Sequence, residues 1–102
     1  MPAPEEKGNI GVTLTTLAAT IASRVEADPE VSYTARLLQG NEDSLLKKIG
    51  EEGCEVVMAA KDKDHDHLRY EAGDLVYHLL VVLQRYGVTL PELADELNAR
   101  MK

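Results

Sequence analysis

Glu51, Glu52 and Glu55 form an E-E-x-x-E cluster, and Glu71 and Asp74 form E-x-x-D further along the chain. On a helix, residues three and four apart share a face. Glu52 and Glu55 therefore point one way, and so do Glu71 and Asp74. Glu52 lies between Ile49 and Val56 on the edge of an apolar stripe, and Asp74 lies between Ala72 and Leu75. Carboxylates turned toward a partner helix repel one another and carry a large desolvation cost unless a cation neutralises them. An antiparallel hairpin of the two helices would bring both pairs together as an all-oxygen set. With water in the remaining positions, such a set suits Mg²⁺ or Mn²⁺. Mg²⁺ shares its ligands with substrate phosphates, so the site would select a phosphate-bearing substrate. The same residues also fit a solvated helix face, with Glu55 paired to Lys48 or Lys61 and Glu51 to Lys47 or Lys48. A di-iron site would need a Glu-x-x-His pair on these helices, and the sequence offers none there.

Hydrophobic periodicity sets the elements that must position these groups. Residues 1–11 carry Pro2, Pro4, Gly8 and Gly11 without any period, which predicts a flexible N-terminal arm before a single domain over 12–102. Leu14, Leu17, Ala18, Ile21 and Val25 form one helical stripe, closed by Asp28-Pro29. Ser32 is a good N-cap for a short helix from Tyr33 to Gln39, with Gly40 as its C′ residue. Asn41 caps a third helix that reaches about Lys61, with apolar positions at Leu45, Leu46, Ile49, Val56, Val57 and Ala60. A charged turn follows, in which Asp64 or Asp66 is the next cap and His65 and His67 read as surface. The fourth helix runs from about His67 to Tyr86. Its broad apolar face (Leu68, Ala72, Leu75, Val76, Leu79, Leu80, Val82 and Leu83) makes it the element predicted to be most buried. Gly87 ends it, and Thr89 with Glu92 reads as a capping box for a last helix, Leu90 to Met101. The expected fold is an all-α bundle of about five helices, with the carboxylates between the two long ones.

Composition narrows the classes. A chain of 102 residues fits one domain. Eighteen acidic and eleven basic residues give a net charge of −7, which argues against a nucleic-acid partner and against an anionic membrane surface. Ten of the acids and five of the bases fall within residues 42–74, so most of that charge sits with the candidate carboxylates. No apolar run approaches the roughly 20 residues needed to span a bilayer, and Met1 to Lys7 is too polar for a signal peptide. Cys54 is the one cysteine, which excludes an internal disulfide, points to a reducing compartment and reads as a small buried packing residue. The limited core of so small a domain makes self-association a source of stability.

Longer motifs narrow the reading further. They are Ser32-Tyr33-Thr34-Ala35-Arg36-Leu37-Leu38, Gly40, Leu46-Lys47-Lys48-Ile49-Gly50-Glu51-Glu52, Glu55-Val56-Val57, Ala59-Ala60-Lys61, and Glu71 with Asp74-Leu75-Val76-Tyr77-His78-Leu79-Leu80. Over about residues 12–100 the chain resembles the phosphoribosyl-ATP pyrophosphatase family, within the MazG-like all-α nucleotide pyrophosphohydrolases. The acidic motifs alone indicate only the superfamily, whereas S-Y-T-A-x-L-L and K-K-x-G-E-E narrow it. Gly53-Cys54 departs mildly from the Ala-Thr pair expected of the family.

The resemblance implies Mg²⁺-dependent hydrolysis of phosphoribosyl-ATP to phosphoribosyl-AMP and pyrophosphate, the second step of histidine biosynthesis, by a cytoplasmic homodimer. It implies Glu52, Glu55, Glu71 and Asp74 as metal ligands and Glu51 as a group that activates water or serves a second metal. It implies Arg36, Lys47, Lys48 and Lys61 as phosphate contacts, Tyr33 and Thr34 as lining for the nucleotide or ribose, and His78 as a group that contacts phosphate or orients a ligand. Two other readings stay open: a hydrolase of noncanonical or surplus nucleoside triphosphates, and a non-catalytic helical interaction module.

Overall fold

A computed structural model describes residues 8–101, so most of the expected arm lies outside the described residues. Five helices follow in order: α1 Ile10–Ala22, α2 Tyr33–Gln39, α3 Glu42–Lys61, α4 His65–Tyr86 and α5 Leu90–Ala99. No strand occurs among the described residues, as expected of an all-α bundle.

α1 begins four residues before the predicted Leu14. Asn9 caps it, its Oδ1 accepting from the Val12 N–H at 3.1 Å, and Gly11 is absorbed into the first turn rather than breaking it. α1 also ends well before Asp28-Pro29. Ser23 Oγ donates to the Thr20 carbonyl at 2.6 Å, and the backbone tightens into bonds from Arg24 to Ile21 and from Val25 to Ala22. A hydroxyl competing for a helix carbonyl unwinds the last turn, and Val25 is left exposed beyond the helix. Gln39 holds the following loop by donating to the Val25 and Ala27 carbonyls at 3.0 and 2.8 Å.

α3 and α4 are the spine, and their pairing is antiparallel. Glu42 at the start of α3 accepts a hydrogen bond from Tyr86 at the end of α4, while Glu52 meets His78 at mid-helix. Lys63 sits between them in the left-handed region at φ 56°, and Asp64 then caps α4, accepting from the His67 N–H. α4 therefore starts at His65, two residues before the predicted His67. It packs on α1, α2 and α3. Its Leu80 and Val81 join Ile21, Leu37 and Leu45 in the buried core.

The expected apolar face of α4 needs one correction. Val81, absent from the predicted stripe, is fully buried, whereas Val76 and Leu79 are each 39% exposed. Apolar residues surround this helix so broadly that period alone does not choose the buried arc; the placement of α1 and α2 does. α5 carries the expected capping box, buries no residue fully and reaches the core through Leu90.

Arg85 of α4 locks the end of α2, donating to the Leu37 and Gly40 carbonyls at 2.8 Å each. Gly40 does not take the left-handed conformation usual for a C′ glycine; at φ −85° and ψ −158° it is extended. Its requirement is space, since a Cβ there would stand 2.7 Å from the Arg36 carbonyl oxygen. Gly87, by contrast, needs its freedom of φ, which is 78°. Gly40→Ala should cost about 1–3 kcal/mol, the usual penalty for forcing atoms into a packed site. Thermal unfolding checks this; an unchanged midpoint would show that the α2 end yields freely.

Candidate active site

The buried line of α3 consists of Leu45, Glu52 and Ala59, every seventh residue, and α4 answers with Glu71 and His78 at the same spacing. Glu52 thus occupies the middle of a seam whose other α3 members are aliphatic. Its position follows from the helix period: the residues one turn away on either side, Lys48, Ile49, Glu55 and Val56, lie on the same face.

Two clusters form along this seam, each spanning both helices. Glu52 of α3 meets Asp74 and His78 of α4, and Glu55 of α3 meets His67 and Glu71 of α4; within each cluster one ligand-type atom per residue lies within 4.8 Å of the others. All four expected carboxylates are therefore brought together, in two cross-helix pairs. His67, expected at the surface, is exposed, and it stands on the first turn of α4 with Nε2 3.4 Å from Glu71 Oε1. The signal was the His67–Glu71 spacing of four at the start of the expected helix, which the surface reading of His67 passed over. Glu51 is exposed on α3 and belongs to neither cluster.

Electrostatics distinguish Glu52 from the rest. Burial, the largest influence, raises its carboxyl above the ordinary value; Asp74 and Glu71 reinforce the rise, and His78 and Lys48 oppose it. Glu52 Oε1 lies 2.6 Å from His78 Nδ1. That ring N–H is directed at the Asp74 backbone carbonyl, 3.0 Å away. Among the described residues, no hydrogen bond is directed at Glu52 Oε1, although the atom is buried. A buried carboxylate oxygen whose one neighbouring N–H is directed at another acceptor is costly. Beside a second carboxylate, Asp74, it fits a divalent cation, and the hard oxygen set matches Mg²⁺ or Mn²⁺.

The residues expected to meet substrate divide. Lys48 is half-buried and close enough for its charge to act on Glu52, while Lys47 and Lys61 are exposed. None of the expected lysine pairs with Glu51 or Glu55 forms among the described residues. Arg36 is exposed. Its guanidinium donates to the Pro29 carbonyl at 3.1 Å and stands 5.5 Å from the centre of the Tyr33 ring. The hydroxyls of Tyr33 and Thr34 are engaged with α4, at His78 and Tyr77. His78 itself is buried. Cys54, expected to be buried, is exposed on α3 with Sγ 3.9 Å from Met58 Sδ.

Comparison with known proteins gives a consistent picture. A family model described as phosphoribosyl-ATP pyrophosphohydrolase matches residues 14–101. The chain is 48% identical over 84 residues to a phosphoribosyl-ATP pyrophosphatase of Dechloromonas aromatica, covering 82% of this chain and 78% of that one. It is 49% identical over 88 residues to a phosphoribosyl-ATP pyrophosphatase of Methylibium petroleiphilum, covering 86% and 73%. It also matches a Bacillus subtilis protein named histidine biosynthesis bifunctional protein HisIE, at 45% identity over 84 residues, covering 82% of this chain and 40% of that longer one. With nearly its whole helical region matched and the four acidic residues gathered on one seam, the chain belongs to the phosphoribosyl-ATP pyrophosphohydrolase family.

Proposed function

We propose that this protein hydrolyses phosphoribosyl-ATP to phosphoribosyl-AMP and pyrophosphate in the second step of histidine biosynthesis, using Mg²⁺. The observation that carries the reading is the cross-helix pair of buried Glu52 and half-buried Asp74, next to Glu55 and Glu71 in a chain of this family. Glu52, Glu55, Glu71 and Asp74 would hold the ion, and Mn²⁺ suits the same donors. When bound, a divalent ion neutralises the triphosphate oxygens and the charge that builds on departing pyrophosphate.

The chain's own residues account for the rest. Glu52 and Glu71 are buried and hold fixed positions on the two helices. Glu55 and His67 are exposed, so solvent reaches this end of the seam. Lys48, whose charge acts on Glu52, and Arg36, which stands over the Tyr33 ring, are the cations a polyanion would meet at an otherwise acidic site. Glu51 receives no role in this scheme.

A homodimer belongs to the same reading. Leu46 and Val57 lie along one line of α3 and Val76 and Leu79 along one line of α4, and all four are exposed, Val57 to 60%. Among the described residues, Ile21, Leu45 and Val81 are the large side chains buried almost completely, a thin core for a domain of this size. A second copy covering these apolar lines adds the missing burial, so sedimentation should give twice 11.2 kDa, and Val57→Lys should shift it toward the single chain. A monomeric wild type would overturn this part. A cytoplasmic location accompanies the reading, and no helix among the described residues is long and apolar enough to cross a membrane.

Product analysis tests the activity. Phosphoribosyl-ATP should yield phosphoribosyl-AMP and pyrophosphate with Mg²⁺ and neither with chelator, and Glu52→Gln and Asp74→Asn should each lose about 100-fold or more in kcat. Preference for a deoxynucleoside triphosphate in a parallel panel would replace this substrate with another of the same superfamily. Absence of any Mg²⁺-dependent pyrophosphate release would leave only the helical interaction module.

A further inference from the structure

The start of α2 reaches α4 through two consecutive pairs. Thr34 Oγ1 shares a hydrogen bond with the Tyr77 hydroxyl, and the Tyr33 hydroxyl lies 3.2 Å from His78 Nε2. The other ring nitrogen of His78, Nδ1, is 3.0 Å from the Asp74 carbonyl oxygen. A carbonyl oxygen can only accept, so Nδ1 carries a proton. In the neutral ring Nε2 then holds the lone pair, and the Tyr33 hydroxyl donates to it. Both ring nitrogens are thus occupied. The ring is also boxed edge-on by two aromatic neighbours, Tyr77 at 4.9 Å and Tyr33 at 6.2 Å between centroids. Its proton-bearing edge abuts Glu52 Oε1 at 2.6 Å.

A histidine this close to two carboxylates has the composition of a ligand but not the free lone pair that a ligand needs. Its fixed ring does something else: it limits the positions the flexible Glu52 side chain can take, so that the carboxylate is ordered before any cation arrives. We propose that His78 is a positioning residue for Glu52, held in place by Tyr33 and the Asp74 carbonyl, and is not itself a ligand. Tyr33 then acts on the site through His78 rather than by lining the nucleotide. The inference rests on the reading above that Glu52 holds the cation.

The metal-free protein tests it first. It has three histidines, so ¹⁵N-histidine NMR of the full chain can be assigned with a His78→Asn variant. His78 should show the Nδ1–H form and keep that proton when Mg²⁺ is added. An Nε2–H form, or loss of the Nδ1 proton on adding Mg²⁺, overturns the proposal. Mn²⁺ binding followed by electron paramagnetic resonance gives the second readout. Asn at position 78 places its amide nitrogen where Nδ1 stands, and Gln places it where Nε2 stands. His78→Gln should weaken Mn²⁺ binding about 10- to 100-fold, His78→Asn should recover most of the loss, and Tyr33→Phe should weaken it about threefold to tenfold. At saturating Mn²⁺, Tyr33→Phe should leave KM for phosphoribosyl-ATP unchanged; a raised KM assigns Tyr33 to the substrate and overturns its part. Glu52→Gln separates the two levels. If it loses Mn²⁺ while His78→Gln binds normally, the positioning role falls alone; if Glu52→Gln binds Mn²⁺ like the wild type, the metal reading beneath it falls as well.

Discussion

The constraint on which the structure turns is the burial of acidic side chains on the α3–α4 seam. Glu52 takes a place that its neighbours along the same line, Leu45 and Ala59, fill with hydrocarbon. Burial raises its carboxyl and Asp74 adds like charge, so the metal-free fold carries an unfavourable charge arrangement at its centre. A fold keeps such an arrangement when something else makes up the cost. Here the arrangement of oxygens around Glu52 Oε1, and the neighbouring pair of Glu55 and Glu71, provide a place where a cation can do so.

The remaining elements hold that seam in register. The core of Ile21, Leu37, Leu45, Leu80 and Val81 lies toward one end of the α3–α4 pair and joins α1 and α2 to it. Arg85 ties the end of α2 to α4, and Tyr33 and Thr34 tie its start. A seven-residue helix would be marginal alone; held at both ends, it places Tyr33 against His78 and Arg36 over the Tyr33 ring. α5 stands apart from this scheme. Its stability begins with its own capping box, and its apolar side is only partly covered.

Much of this could be read from residue spacing. The four helices after α1 follow from caps and period, and Glu52 stood out because a carboxylate on the edge of an apolar stripe is expensive. What escaped were effects that depend on partners distant in sequence. The hydroxyls of Tyr33 and Thr34 meet residues 45 and 43 positions away, which no local pattern discloses. Val81 is buried because of where α1 and α2 sit, and Gly40 is glycine because of a carbonyl one turn earlier, not because of its φ. His67 is exposed as expected, but its spacing of four from Glu71 also makes it a neighbour of that carboxylate, a local signal the surface reading passed over.

The central claim is that this acidic seam is a cation site. Anomalous diffraction from crystals of the protein grown with Mn²⁺ reports directly on it. The account predicts a peak on the α3–α4 seam, bounded by Glu52, Glu55, Glu71 and Asp74. A seam without such a peak at saturating Mn²⁺ would contradict it.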